Sequence, residues 1–293
     1  MSEDAWTVRR VLAWTASHFE KKGVDAPRLT AEILLAHVLG VTRVRLYVDL
    51  ERPLQTAELA AYRRFIGQRT AGEPTQYLVG RKEFYGRPFQ VDSRVLVPRP
   101  ETELLVESVL QQLPRDRPCR VLDVCTGSGC IAATVAAERE GASVWATELS
   151  PGAAAVARAN AEALGVGGRV TVLEGDLLAP VPGGARFDVV VSNPPYVATA
   201  EIDTLSAEVR REPRLALDGG ADGLDVVRRL AAEARRSLRP GGLLALEMGE
   251  TQGAAVKALL EAAGYEQVRV VKDLERRDRF AYGTEPGREQ GLG

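Results

Sequence analysis

Histidine, cysteine and methionine are scarce: two His, three Cys and two Met in 293 residues. Cys119, Cys125 and Cys130 are odd in number and crowded into twelve residues. That spacing fits neither a disulfide framework nor the close Cys pairs of a zinc site, so reduced thiols and no metal are expected. His18 and His37 both lie near the front on helix-like faces, where they read as packing residues. Chemistry carried further along the chain then uses no histidine. No apolar run approaches the roughly 18 residues of a membrane helix, and the opening MSEDAWTVRR has no apolar signal core. A cytoplasmic protein with no membrane association is the expectation. There is no internal repeat and no low-complexity tract.

What is present is a globular composition, 45% hydrophobic and 27% charged, with a net charge of −2. The length suggests roughly two domains. Residues 1–97 carry fifteen Lys/Arg against eleven Asp/Glu, a net of +4, and residues 98–293 carry twenty-three against twenty-nine, a net of −6. A mildly basic front falls short of the concentrated footprint of a duplex binder, so stable nucleic-acid binding is not expected. Oligomeric state is set at monomer.

From Trp6 to about Gly72 three stretches, WTVRRVLAWTASHFEKKG, LTAEILLAHVLG and TAELAAYRRFIGQRTAG, carry apolar residues at three- and four-residue steps and close on Gly. The spacing predicts a small helical domain over 1–73. EFYGRPFQVDSRVLVP then alternates around Gly86 and Pro88, which predicts a β-hairpin connector over 74–98. PRPETELLVESVLQQL opens a helix with Pro100 and three acids near its start. From Arg120, strand-like and helix-like stretches alternate, which predicts a parallel sheet with helices on both faces over 99–285, followed by a tail at 286–293. Ligands of such sheets sit at the carboxyl ends of the strands.

The first strand, RVLDVC, runs into Thr126-Gly127-Ser128-Gly129 and a helix. Glycines there allow close backbone approach to a ligand, although such turns are also common for steric reasons alone. Two acids add meaning. Asp123 ends the strand, where a carboxylate can face a cationic ligand, and Glu148 ends the second strand about twenty residues on, where an acid can hold both ribose hydroxyls. The third glycine of a dinucleotide fingerprint is replaced, and Asp123 would be a poor neighbour for a pyrophosphate. S-adenosylmethionine, cationic and without phosphate, fits better. Asp176, closing VLEGD, either accepts from its adenine amine or forms a turn.

FDVVVSN ends in Asn193-Pro194-Pro195-Tyr196. Two prolines cannot continue a ladder and fix the backbone, so the Pro194 carbonyl and the Asn193 side-chain oxygen can point the same way. A planar NH₂ group needs two such acceptors, and Tyr196 can stack on its face. Drawing both N–H bonds toward acceptors returns electron density to a conjugated nitrogen and aims its lone pair at a methyl donor.

With loop and tetrapeptide in place, the chain resembles the release factor glutamine methyltransferases (the HemK/PrmC family). EPTQYLVGRKEFYGRPFQVDSRVLVPRPETELLVE (73–107), EPRLALDGGADGLDVVRRL (212–230), and EMGETQGAAVKALLEAAGY with KDLERRDRFAYG are similar to that family's strings. The resemblance implies an α/β fold, a seven-stranded class I (Rossmann-like) methyltransferase domain behind a small all-α substrate-recognition domain and a β-hairpin connector. It implies methyl transfer from S-adenosylmethionine, with S-adenosylhomocysteine as product, to the side-chain amide of the Gln in the Gly-Gly-Gln loop of class I peptide-chain release factors. Asn193 and Pro194 would bind that amide, with Pro195 beside them and Tyr196 packed on it. Arg99 and Glu101 would border the cleft. The cofactor would be held by Asp123, Cys125, Thr126, Gly127, Ser128, Gly129, Glu148, Leu149, Asp176, Leu177 and Asn193, while Glu212 and Asp218 would organise loops. Cys125 stands where the family usually has glycine, and Glu148 where Asp is common. A ribosomal-protein glutamine methyltransferase shares the chemistry, but its connector resembles PRSP where this chain has PRPETE. A DNA adenine methyltransferase would need a basic groove, and a non-catalytic module would have no use for an intact NPPY.

Overall fold

The computed structural model describes residues 5–287, so the expected tail lies, from residue 288 on, outside the described residues. The chain divides into two compact units. Among the described residues the smaller comprises 5–81 together with Ser206–Arg211, and the larger comprises Lys82–Leu205 and 212–287.

The smaller unit is helical: α1 (Val8–Lys21), α2 (Pro27–Leu39), α3 (Arg43–Val48), α4 (Thr56–Thr70) and α5 (Thr75–Val79). Local signals set the ends. The Thr7 hydroxyl accepts from the Arg10 amide at the start of α1. Pro27 opens α2, and Gly40, at φ 63°, closes it. The core gathers Val8, Leu12, Phe19, Leu34, Leu35 and Tyr62, and the buried Tyr62 hydroxyl donates to the Ala31 carbonyl. His18 stacks on Trp14 at 5.1 Å and His37 meets the Phe65 ring edge-on. Both are therefore packing residues. In the returning segment Glu208 pairs with buried Arg69. Two helices go beyond the sequence expectation. α3 and α5 are six and five residues long, too short to show a 3.6-residue period, and α5 occupies the start of the expected connector.

Apart from Arg81, the hairpin of β1 (Arg81–Phe84) and β2 (Arg87–Gln90) opens the larger unit. Then follow α6 (Pro100–Gln112), β3 (Cys119–Val124), α7 (Cys130–Glu138), β4 (Ala142–Glu148), α8 (Pro151–Ala163), β5 (Val170–Glu174), β6 (Phe187–Ser192), α9 (Asp225–Arg235), β7 (Leu238–Glu247), α10 (Gly253–Ala262), β8 (Glu266–Lys272) and β9 (Asp278–Thr284). Among the described residues the main sheet has seven strands in the order β5-β4-β3-β6-β7-β9-β8. It is parallel through β7, whereas β9 runs antiparallel to both β7 and β8. The expectation of a parallel sheet is corrected there: β8 and β9 are joined by a five-residue turn with no crossover helix, and such a connection reverses direction.

Alternation along the strands assigns the faces. Val121, Val189, Val191 and Ala245 pack with Leu105 and Val106 of α6 and Ile131 of α7. Leu122, Val190, Leu244 and Leu246 pack with Leu230 of α9 and Leu260 of α10. The strand order reverses between β3 and β6, so a crevice opens beyond their carboxyl ends. Among the described residues no helix is long and apolar enough to cross a membrane.

Candidate active site

A cavity of about 230 Å³ occupies that crevice in the larger unit. Its walls come from the ends of four parallel strands. Cys125, Thr126, Gly127 and Ser128 follow β3; Glu148, Leu149 and Ser150 end β4; Gly175, Asp176 and Leu177 follow β5; Asn193 and Pro195 follow β6. Arg99 and Thr102, at the start of α6, complete the wall beside Asn193. The expected cofactor loop, ribose acid and tetrapeptide thus converge.

Glu148 is held by the backbone around it. One carboxylate oxygen accepts from the Gly127 amide and the other from the Ser150 amide, each at 2.9 Å. Two backbone donors therefore fix the carboxylate plane, and each oxygen keeps a lone pair for a further donor. A carboxylate held this way suits the paired hydroxyls of a ribose, so the residues present fit an adenosyl cofactor without phosphate. Asp176 also lines the cavity, with one oxygen engaged by Arg229 at 2.6 Å.

Other expected residues take different places. Asp123 does not reach the wall. It shares the strand face of Val121, under α7, and is fully buried, its Oδ2 accepting from the Thr126 hydroxyl at 2.5 Å and the Ala132 amide at 3.1 Å. It braces the strand–turn–helix junction from behind. Its Oδ1 is buried with no hydrogen-bond partner, and burial, reinforced by the charge of Glu148, pushes the carboxyl up to about 7. Between pH 4 and 7 the folded state thus keeps a proton that the unfolded chain releases, so stability falls as pH rises through that window. In Asp123→Asn the decline measured by urea unfolding at pH 5 and pH 7 is expected to be shallower, by at most about 1.4 kcal/mol per pH unit.

Gly129 also faces away. A Cβ there would meet the Ala157 Cβ at 3.0 Å and Cα at 3.1 Å, whereas one on Gly127 would meet no protein atom within 4 Å. Gly129 therefore serves the close approach of α7 to α8, and Gly127 keeps the cavity open. Both have positive φ, 77° and 56°. Gly127→Ala is expected to cost about 1 kcal/mol in backbone strain, and Gly129→Ala about 2–4 kcal/mol with overpacking added, a difference readable in denaturant midpoints. Cys125 adopts φ 60° without being glycine. It accepts the strain of a left-handed residue, and burial pushes its thiol well above the ordinary range, so it is a wall and not a nucleophile.

Around the tetrapeptide, Pro194 is buried and Tyr196 half-buried. Neither lines the cavity. Burial pushes the Tyr196 phenol up to about 12, and its carbonyl accepts from Gln252 at 2.9 Å. Glu101 also stands off the wall, 4.0 Å from Arg277. Arg99 lines the cavity and donates to buried Glu212 at 2.6 Å. Glu212 also accepts from the Val97 amide. Asp218 accepts from Thr199, Gly220 and Arg214, which organises the loop after the tetrapeptide.

Two residues were not singled out from the sequence. The Asn193 Nδ2 donates to the Thr102 hydroxyl at 3.2 Å, and that hydroxyl donates to Glu247 at 2.7 Å. Glu247 ends a strand, as Glu148 does, and the strand-end rule points to it.

A model of the PrmC N-terminal domain matches residues 10–80, and a model of the methyltransferase small domain matches residues 100–212. Release factor glutamine methyltransferase of Moorella thermoacetica is 47% identical over 282 residues, covering 95% of this chain and 99% of that protein. Its counterpart in Geobacter sulfurreducens is 44% identical over 281 residues, covering 96% and 97%. A crystal structure of a methyltransferase from Pyrococcus furiosus aligns with a TM-score of 0.52 at 22% identity, covering 70% of this chain and 92% of that one, which speaks for the fold. With identity at this level along nearly the whole length of both proteins, the chain belongs to the release factor glutamine methyltransferase family.

Proposed function

We propose that the chain transfers a methyl group from S-adenosylmethionine to the side-chain amide nitrogen of the Gln in the Gly-Gly-Gln loop of class I peptide-chain release factors, giving N5-methylglutamine. The carrying observation is that Asn193 and Glu148 line one cavity, an amide acceptor and a ribose-binding acid at the ends of the two strands that flank β3. The cofactor, once bound, supplies an electrophilic methyl group.

The chain's own residues do the rest. Glu148, with Gly127, Leu149, Asp176 and Leu177 around it, holds the adenosyl portion. The Asn193 side-chain oxygen, on the cavity wall, accepts one N–H hydrogen of the substrate amide, and the adjoining Pro194, itself outside the wall in this structure, is assigned the other through its backbone carbonyl. That pulls density back onto nitrogen and orients its lone pair, so positioning and electrostatics supply the acceleration. The surplus proton leaves to solvent after transfer. No imidazole is required, in keeping with the place of His18 and His37 in the helical unit. Tyr196 braces the tetrapeptide from outside the cavity, and Arg99 is held at its rim by Glu212.

The helical unit is assigned to release-factor recognition and the protein to the cytoplasm, as a monomer without stable nucleic-acid binding. Its three free cysteines suit a reducing compartment. Incubation with methyl-labelled cofactor and purified release factor, ribosomal protein or DNA, followed by mass spectrometry, tests the assignment. Label on the release-factor glutamine is expected, and label on ribosomal protein or adenine alone overturns it.

A further inference from the structure

Asn193 is useful as an amide acceptor only if its oxygen, and not its NH₂, faces the substrate. A carboxamide is nearly symmetric in shape, and flipping it would set one NH₂ against another. Something has to decide which end points where. Parallel pairing of β6 with β7 sets Ser192 opposite Leu246, so Asn193 and Glu247 follow side by side at the strand ends. By alternation both share the face of Val191 and Ala245, which α6 covers. Thr102, in the first turn of α6, is 2% exposed and Glu247 1%. The Thr102 hydroxyl stands between the two, 2.7 Å from the Glu247 carboxylate and 3.2 Å from the Asn193 amide.

We propose that Thr102 and Glu247 are positioning residues that fix the orientation of the Asn193 carboxamide. A hydroxyl has a single hydrogen. When the buried carboxylate takes it, the hydroxyl oxygen can only accept, and it therefore selects the nitrogen end of Asn193. The oxygen end is left to receive an incoming N–H. This deepens the amide-methylation assignment and rests on it.

The relay depends on the ionisation of Glu247. A protonated Glu247 donates to the Thr102 oxygen, which releases the hydroxyl hydrogen toward Asn193 and favours the flipped amide. Burial pushes the Glu247 carboxyl up to about 7; Arg279 of β9 and Arg99 pull it down, and Glu101 pushes it up. The Tyr196 phenol and the Cys130 thiol are the other titratable groups facing it. Turnover at saturating substrate and cofactor is thus expected to rise with pH through the neutral range.

The test compares Thr102→Ser, Thr102→Val and Glu247→Gln for single-turnover methyl transfer between pH 6 and 9, with cofactor affinity by calorimetry. Thr102→Ser keeps the hydroxyl and is expected within about threefold of wild type, whereas Thr102→Val loses about 10–100-fold in kcat at unchanged cofactor affinity. Glu247→Gln has no titrating carboxyl and loses the acid limb of the profile. Equal losses in Ser and Val variants, a Val variant within threefold of wild type, or an acid limb retained in Glu247→Gln would each overturn the relay. If Thr102→Val fails to fold, the Glu247→Gln profile decides. Should wild type methylate a different amide or an adenine amine, the release-factor assignment falls, but the relay is judged by the same comparison on that acceptor.

Discussion

Asn193→Ala is expected to lower methyl transfer by roughly 10²–10³-fold, the size of loss seen when one preorganised hydrogen-bonding group is removed from a reacting centre. The residue sits one position beyond β6, and its side chain contributes nothing to the pairing of β6 with β3 or β7. Truncation therefore leaves the strand end in place. The Thr102 hydroxyl keeps its bond to Glu247 when its amide neighbour is gone, so no buried hydroxyl hydrogen is stranded. What disappears is the side-chain acceptor for the substrate amide. The Pro194 carbonyl alone would hold one N–H, and the nitrogen lone pair would return to conjugation. Cofactor affinity should stay within about twofold of wild type, because the acid and glycine proposed to hold the adenosyl portion, Glu148 and Gly127, come from β4 and the β3–α7 turn. Calorimetry with the cofactor beside a single-turnover assay separates the two quantities. A folded Asn193→Ala protein that no longer binds cofactor would contradict the division of roles.

The architecture was legible where long periodic stretches carry it. Alternating strands and helices after Arg120 specified the layers, and the strand-end rule located the cleft. Elements whose identity is set by packing were not legible. α3 and α5 are a turn or so long, and the reversed direction of β9 follows from a short turn, not from the strand's own composition. Within the site, residue type was visible but side-chain direction was not. Asp123 and Glu148 share one sheet face, yet Asp123 pairs with Ala146, two residues short of Glu148, so it lies deeper, under α7, while Glu148 reaches the cavity wall. Gly127 and Gly129 are two residues apart, yet one faces open space and the other Ala157. Thr102 escaped notice because a threonine in the first turn of a helix looks like any other; its meaning comes from contacts 91 and 145 residues away in the chain.

Glu148→Ala should produce the opposite signature, a loss concentrated in cofactor affinity. Each carboxylate oxygen is already aimed by a backbone amide, Gly127 on one and Ser150 on the other, so little ordering remains to be done when hydroxyl donors arrive. Two charge-assisted hydrogen bonds at about 1.5–3 kcal/mol each set the scale. Some of that is recovered by water in the variant, which brings the expected rise in dissociation constant to about 10²–10³-fold. The same substitution unpairs the Gly127 amide, loosening the turn that keeps the cavity open, so the effect should exceed that of Glu148→Gln, which preserves one acceptor. Glu148→Asp keeps both oxygens on a shorter stem and should fall between wild type and Gln. At saturating cofactor, turnover by Glu148→Ala should recover to within about tenfold of wild type, since Asn193 still receives the amide. A dissociation constant unmoved by Glu148→Ala would mean that the ribose lies elsewhere, and with it the entire order of the cleft from β5 to β6.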